Sequence, residues 1–96
     1  MAEISYSSRA VADLERISNF LVTSNLNASE TLDLIEEAIN ILARHPFVGR
    51  PAEVGLHELV ISKGKSGYIA LYAYDAHQDA ILVLSIRHQR EAGFRL

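Results

Sequence analysis

The spacing of apolar residues along this chain switches from two to about 3.6 and back to two. Glu3 to Tyr6 alternates, with Ile4 and Tyr6 set against Glu3 and Ser5, and predicts a short half-buried strand. Ala10, Leu14, Ile17 and Leu21 then fall on one helical stripe, and Ser7 and Ser8 offer a hydroxyl N-cap, so a helix is predicted over roughly Ser8 to Thr23. Ser24-Asn25-Leu26-Asn27 interrupts it with turn formers, and Asn27 followed by Glu30 has the spacing of a capping box. In the second helix Leu32, Leu34, Ile35, Ala38, Ile39, Ile41 and Leu42 cover about half the circumference, opposite Asp33, Glu36, Glu37 and Asn40. That arc is too wide for one contact. It predicts packing on both the first helix and a sheet, with Arg44 and His45 near the negative helix end and Pro46 as the stop. A connection this short makes the two helices antiparallel neighbours.

Pro46 to Gly55 carries both prolines with Gly49 and Gly55 and reads as one extended loop. After it, His57, Leu59 and Ile61 alternate with Glu58, Val60 and Ser62 in a strand over Leu56 to Ser62. Lys63 to Gly67 reads as a hairpin turn and Tyr68 to Asp75 as a nearly continuous apolar strand, central and buried on both faces. Ala76 to Asp79 is a second turn, and Ala80 to about Arg87 a last strand. The order β-α-α-β-β-β predicts a single α+β domain over residues 1–96, a helical hairpin packed on a small antiparallel sheet. The side the helices leave uncovered is then the natural place for a site or a partner.

Composition narrows the picture. Ninety-six residues suit one core, and 49% hydrophobic with 22% charged residues is an ordinary globular balance. There is no cysteine, so disulfides, thiolate chemistry and cysteine-held zinc are excluded, and a reducing cytosol is the expected compartment. Neither a basic, apolar leader at the N-terminus nor an apolar run near the ~20 residues of a membrane span is present. Residues 1–45 hold three basic against seven acidic residues, net −4, while residues 46–96 hold six against five, net +1. Affinity built on phosphate neutralisation calls for a cationic excess that this chain lacks.

No phosphate loop, zinc-protease motif or nucleophile elbow occurs, and His45, His57, His77 and His88 have no ligand spacing, so neither cofactor nor metal is expected. The remaining polar groups gather in the C-terminal half: Lys63 and Lys65 in the first turn, Tyr68, Tyr72 and Tyr74 on one face of the central strand, and Arg87, His88, Arg90 and Glu91 after the last strand. The tyrosine row reads first as packing, the lysines as solubilising charges, and the arginines as solvated residues or as a site. Ser66-Gly67-Tyr68-Ile69-Ala70-Leu71-Tyr72, the later run Ile86-Arg87-His88-Gln89-Arg90-Glu91, and Arg44-His45-Pro46-Phe47-Val48-Gly49-Arg50-Pro51 behind a helix pair together resemble the RelE/ParE toxin superfamily over nearly the whole chain.

The resemblance implies a growth-inhibiting, stress-linked cytoplasmic toxin of a type II toxin-antitoxin system, held in a hetero-oligomer with a cognate antitoxin. RelE-like members cleave messenger RNA on the ribosome, and ParE-like members poison DNA gyrase without cutting. Cleavage by 2′-hydroxyl attack needs a base, a cation beside the phosphate and an acid for the leaving oxygen. RelE-like toxins carry an arginine after the Gly-Tyr pair where this sequence has Ile69, and Phe94 falls near a position where relatives place a tyrosine or histidine. The ParE-like reading is therefore the expectation, with Arg87, His88, Arg90, Tyr68, Tyr72, Lys63, Lys65 and Phe94 meeting the target. A ribonuclease would instead draw on Arg90, Arg87, His88 and Lys65, with ribosome and messenger RNA as partners. A third reading is an antitoxin-binding module without toxicity. All three share an antitoxin expected to contact Leu14, Ile17, Leu21, Leu34, Ile41 and Leu59.

Overall fold

The computed structural model describes residues 1–63 and 66–90. The elements are β1 (Glu3–Tyr6), α1 (Ser8–Thr23), α2 (Ala28–Asn40), a 3-10 turn (Ile41–Ala43), β2 (Arg50–Pro51), β3 (Leu56–Lys63), β4 (Ser66–Asp75) and β5 (Ala80–His88). They form one α+β unit, two helices on a five-stranded sheet in the order β1-β5-β4-β3-β2. β2 to β5 pair antiparallel, as the meander predicts, and β1 lies parallel against β5. The helical hairpin supplies the crossover that a parallel pair requires.

The caps follow the chemistry of their residues. Ser7 Oγ accepts from the Ala10 N–H at 3.1 Å and Asn27 Oδ1 from the Glu30 N–H at 3.0 Å, so each helix begins where a short polar side chain can satisfy an orphan donor. Asn25 adopts φ 57°, turning the chain between the helices. The second helix departs from expectation at its far end. Its α-helical bonding stops at Asn40, and Ile41–Ala43 tighten into a 3-10 turn in which the Arg44 and His45 N–H groups share the Ile41 carbonyl. The loop expected over Pro46 to Gly55 is also less irregular than predicted, because Arg50 and Pro51 pair with Glu58 and His57 as an edge strand. A two-residue strand led by charge and proline carries too little pattern to be read from sequence.

The core lies between helices and sheet. Ala10, Ile17, Leu21, Ile35, Ile39 and Leu42 meet Ile61, Tyr68, Ala70, Tyr72, Ile81, Val83 and Ile86, and each large side chain so buried contributes about 1.5–3 kcal/mol. The wide apolar arc of the second helix is thereby accounted for: Ile35 and Ile39 enter the core, while Leu34 and Ala38 pack at its margin. On the sheet face away from the helices Val60 and Leu82 remain exposed, and Ile69 and Leu71 are buried between their neighbouring strands.

Fully buried within this apolar set is a carboxylate. Asp13 sits on the same stripe as Ala10, Ile17 and Leu21, and its Oδ2 accepts from Ser85 Oγ at 2.7 Å and from the Ile86 N–H at 2.9 Å. Arg16 lies 3.7 Å from the other oxygen and donates to the Ile86 carbonyl at 3.4 Å. Ser7 adds two bonds from the helix start, N–H to Val83 O and Oγ to Leu84 O, both 2.9 Å. Leu84 is the extra residue of a β-bulge, since Tyr72 faces Val83 while Leu71 faces Ser85. Replacing Asp13 by Ala strands the Ser85 and Ile86 donors and is expected to cost about 2–4 kcal/mol in denaturant unfolding. A loss within 0.5 kcal/mol would show that this carboxylate does not hold α1 to β5.

Candidate functional site

Of the basic residues singled out in the sequence, Arg87, His88 and Arg90 lie together at the end of β5. Arg87 is in register with Ile69 of β4, and its Nη1 donates to the carbonyls of His88 at 3.3 Å and Gln89 at 3.4 Å. The His88 ring stands edge-on to Tyr68 with centroids 5.3 Å apart, and its Nδ1 accepts from the Arg90 N–H at 3.1 Å. In this arrangement Nδ1 is already engaged as an acceptor. The Gln89 N–H bonds Gly67 O at 2.9 Å, closing the strand end. The group can present cationic and N–H donors to a partner, and among its described residues the His88 Nδ1 that could serve as a base is taken up by the Arg90 N–H.

Two target-facing assignments are corrected. Tyr68 and Tyr72 are core residues, the latter fully buried, because the face of β4 that carries them is the one the helices roof. Lys65 and Phe94 lie outside the described residues, and Lys63 is described only as the end of β3, in register with Ser66. Of the side chains expected to meet an antitoxin, Ile17 and Leu21 are buried in the core and have no open surface to offer. Leu14, Leu34 and Leu59 are half-buried and Ile41 is exposed.

Two further features escaped the sequence reading. Between β1 and the helices runs an apolar cleft of about 500 Å³, lined by Ile4 and Tyr6 of β1, Val11 and Leu14 of α1, and Leu32, Ile35, Glu36 and Asn40 of α2. Glu36 is the charged group in its wall. Burial, and secondarily the Glu36 carboxylate, raise the Tyr6 phenol above 10.0. β1 is also a sheet edge. Glu3 and Ser7 send their N–H groups to Asp79 and Val83 on the β5 side, so strand alternation turns the main-chain groups of Ile4 and Tyr6 outward.

At the opposite end of the sheet from Arg87, Phe47 stands edge-on to Tyr74 at 5.2 Å and to His57 at 5.8 Å, and His57 stacks on Tyr72 at 5.6 Å. The Tyr72 hydroxyl donates to Pro46 O at 2.9 Å and accepts from the Gly49 N–H at 3.0 Å. Gly49 is obligatory here, since a Cβ would fall 2.6 Å from that hydroxyl and 2.7 Å from Glu58 O. Among the described residues no group of histidines and carboxylates is arranged to hold a metal, and no helix is long and apolar enough to cross a membrane.

With this geometry in place the relatives can be named. The chain belongs to the family described as ParE toxin of type II toxin-antitoxin system, parDE, whose sequence model matches residues 4–93. It is 30% identical over 92 residues to Toxin RelE3 of Caulobacter vibrioides, an alignment covering 95% of this chain and 98% of that one. The fold matches a chain of the chromosomal ParDE system from P. aeruginosa with TM-score 0.70 at 24% identity, covering 90% of this chain and 94% of that chain. It also matches one from the RelBE2 toxin-antitoxin complex of Mycobacterium tuberculosis with TM-score 0.61 at 23% identity, covering 92% and 98%. The RelE/ParE superfamily fold expected from the sequence is therefore the one observed.

Burial also raises the Tyr72 phenol, against a smaller lowering by its Gly49 bond, and the hydrogen bond to Asp79 raises Tyr74. A folded state that keeps these protons beyond the ordinary value of 10.0 is favoured below that pH and loses the advantage as pH rises above it. Unfolding free energy is thus expected to fall as pH rises through and above about 10, followed by denaturant titration together with phenolate absorbance. Phenolate absorbance complete at the ordinary value with the fold intact would contradict it.

Proposed function

We propose that this protein is the toxin of a type II toxin-antitoxin pair, that it inhibits DNA gyrase by binding, and that a cognate antitoxin neutralises it. The observation that carries the gyrase reading is the chemistry of the β5 end. A ribonuclease needs a base, and His88 Nδ1 is taken up by the Arg90 N–H. The position after Gly67-Tyr68 is Ile69, 5% exposed, where a phosphate-binding cation would have to stand in a cleaving toxin. A net charge of −3 further disfavours an RNA-bound ribosomal site. A protein-binding inhibitor requires none of these groups.

The antitoxin reading is supported by the toxin-antitoxin complexes among the structural relatives and by the cleft between β1 and the helices, whose free strand edge and apolar walls suit a partner segment. Leu14, common to that cleft and to the sequence expectation, is its natural anchor. Ribosome-dependent messenger cleavage is the second reading, favoured by the name of the Caulobacter relative.

Purified protein is expected to block gyrase supercoiling at micromolar concentration without degrading transcripts in a translation extract (range typical of transient protein complexes, about −8 kcal/mol). Intact supercoiling with transcripts cut on ribosomes would move the assignment to the ribonuclease. Arg90→Ala is expected to weaken growth arrest while leaving the thermal transition in place; full toxicity of that variant and of Arg87→Ala would remove the β5 end from the target contact.

A further inference from the structure

The cleft between β1 and the helices is apolar on its α1 side and mixed on its α2 side. Val11, Leu14, Leu32 and Ile35 give it apolar walls, whereas Glu36 and Asn40, one helical turn apart, stand exposed along α2. Its third side is β1, a sheet edge on which the Ile4 and Tyr6 main chains face outward. An extended segment laid against that edge continues the sheet, and every second side chain of it points into the cleft. Leu32 and Glu36 are four residues apart on α2, about 6 Å along its axis, and alternate residues of a strand are about 6.6 Å apart. A strand can therefore set an apolar side chain beside Leu32 and its next inward one beside Glu36.

Glu36 has no cation of its own. Among the described residues it forms no ion pair, and its field reaches the Tyr6 phenol across the cleft. The charges on the surrounding elements do not compensate it. On α2, Asp33 lies one turn before Glu36, and Glu30 and Glu37 each lie one turn from Asp33. On α1, Glu15 is one turn beyond Val11, while Arg9 and Arg16 fall on the opposite side of the helix, Arg16 turned to Asp13 and the Ile86 carbonyl. On β1, Glu3 points to the face away from Ile4 and Tyr6, and the N-terminal ammonium stands beside Asp79. Arg44 and His45, both exposed, follow Ala43, whose carbonyl takes the Ala2 N–H, so they stand at the Ile4 end of the cleft. Arg44 is eight residues beyond Glu36, about 12 Å at the helical rise, and at that separation salt screens most of its attraction.

We infer that Glu36 is the specificity-determining residue of this cleft, selecting an antitoxin strand that adds to β1 and carries a lysine or arginine two residues from an apolar anchor. The inference rests on the reading of the cleft as the antitoxin surface, and it adds which sequence that surface accepts. The apolar walls and the strand edge take any extended apolar segment. The carboxylate narrows the choice, because a strand that brings an acidic or apolar side chain to that place repels it or covers it without a partner. The same group of carboxylates turns away a phosphate backbone, and a second copy offering its own β1 edge would set two acidic clefts side by side.

The full-length toxin is tested against the host protein whose co-expression restores growth. Glu36→Gln is expected to lower affinity for it about tenfold at low salt, with the difference from wild type fading near about 1 M salt, and Glu36→Arg to lower it further. Among single substitutions in the antitoxin, exchange of one lysine or arginine for glutamate is expected to restore binding to the Glu36→Arg toxin while weakening binding to wild type, a swap that loss of structure alone does not produce. Val11→Ser, on the facing wall, should weaken binding at low and high salt alike. Glu36 variants that bind as tightly as wild type overturn the inference, and so does a loss that is equal at every salt concentration and that no acidic exchange in the antitoxin restores. Variants that keep antitoxin affinity and lose only gyrase inhibition also overturn it, by giving the cleft to the target. Failure of the underlying reading looks different. A restoring protein indifferent to both the Glu36 and the Val11 variants binds elsewhere on the toxin, and a toxin that no host protein neutralises has no antitoxin to select; the inference falls with either.

Discussion

The structure depends on how β5 is satisfied beyond the reach of β1. The parallel partner ends at Tyr6, opposite Val83, yet β5 continues to His88. A strand edge left bare there would carry unpaired N–H and C=O groups into the helix-sheet interface, where each would cost roughly 1–3 kcal/mol. The N-cap and first three turns of α1 take the place of the missing strand. Ser7 meets Val83 and Leu84, Asp13 meets Ser85 and Ile86, and Arg16 meets the Ile86 carbonyl. A helix that was expected to contribute only an apolar stripe therefore also contributes polar groups in register with a strand.

The consequence reaches the candidate site. Arg87 and His88 follow directly on the residues that α1 holds, so the direction in which the basic end of β5 leaves the sheet is set by the same bonds that orient the hairpin. The bulge at Leu84 belongs to this arrangement, because it displaces one residue of β5 from its ladder with β4 where the Ser7 hydroxyl takes the Leu84 carbonyl. Towards the other end of the sheet Tyr72 plays a comparable part for the loop after α2. Its ring fills the core and its hydroxyl fixes Pro46 and Gly49, so a single buried side chain links core packing to the shape of an exposed turn.

Much of the fold was legible because it rests on periodicity. The bounds of β1 and α1, the Asn27 cap, the three-strand meander and the double burial of β4 all follow from where apolar residues recur. What could not be read depends on groups meeting across the fold. The pairing of β1 with β5, the edge strand Arg50–Pro51 and the end of α2 at Asn40 have no local pattern that distinguishes them from loop or continued helix. Asp13 did leave a signal, a carboxylate three residues after Ala10 and four before Ile17 on the apolar stripe, where a charged residue needs buried partners. Tyr68 and Tyr72 were correctly placed on one face, but sequence does not say which face the helices roof; the mistaken surface role came from that step. Phe47 and Val48 looked like ordinary loop residues, because only the Tyr72 hydroxyl reveals that the turn is rigid.

The arrangement of the two ends bears on what kind of toxin this fold can support. At the β5 end the histidine is engaged through Nδ1 by the Arg90 N–H, and Arg87 stands in register with Ile69 of β4. At the other end Phe47 stands against Tyr74, whose hydroxyl donates to Asp79. Protein binding draws on shape and exposed apolar area, and Phe47 and Val48 supply some of the latter. A fold does not by itself fix an activity, so what this scaffold does depends on the side chains it carries rather than on the sheet that holds them.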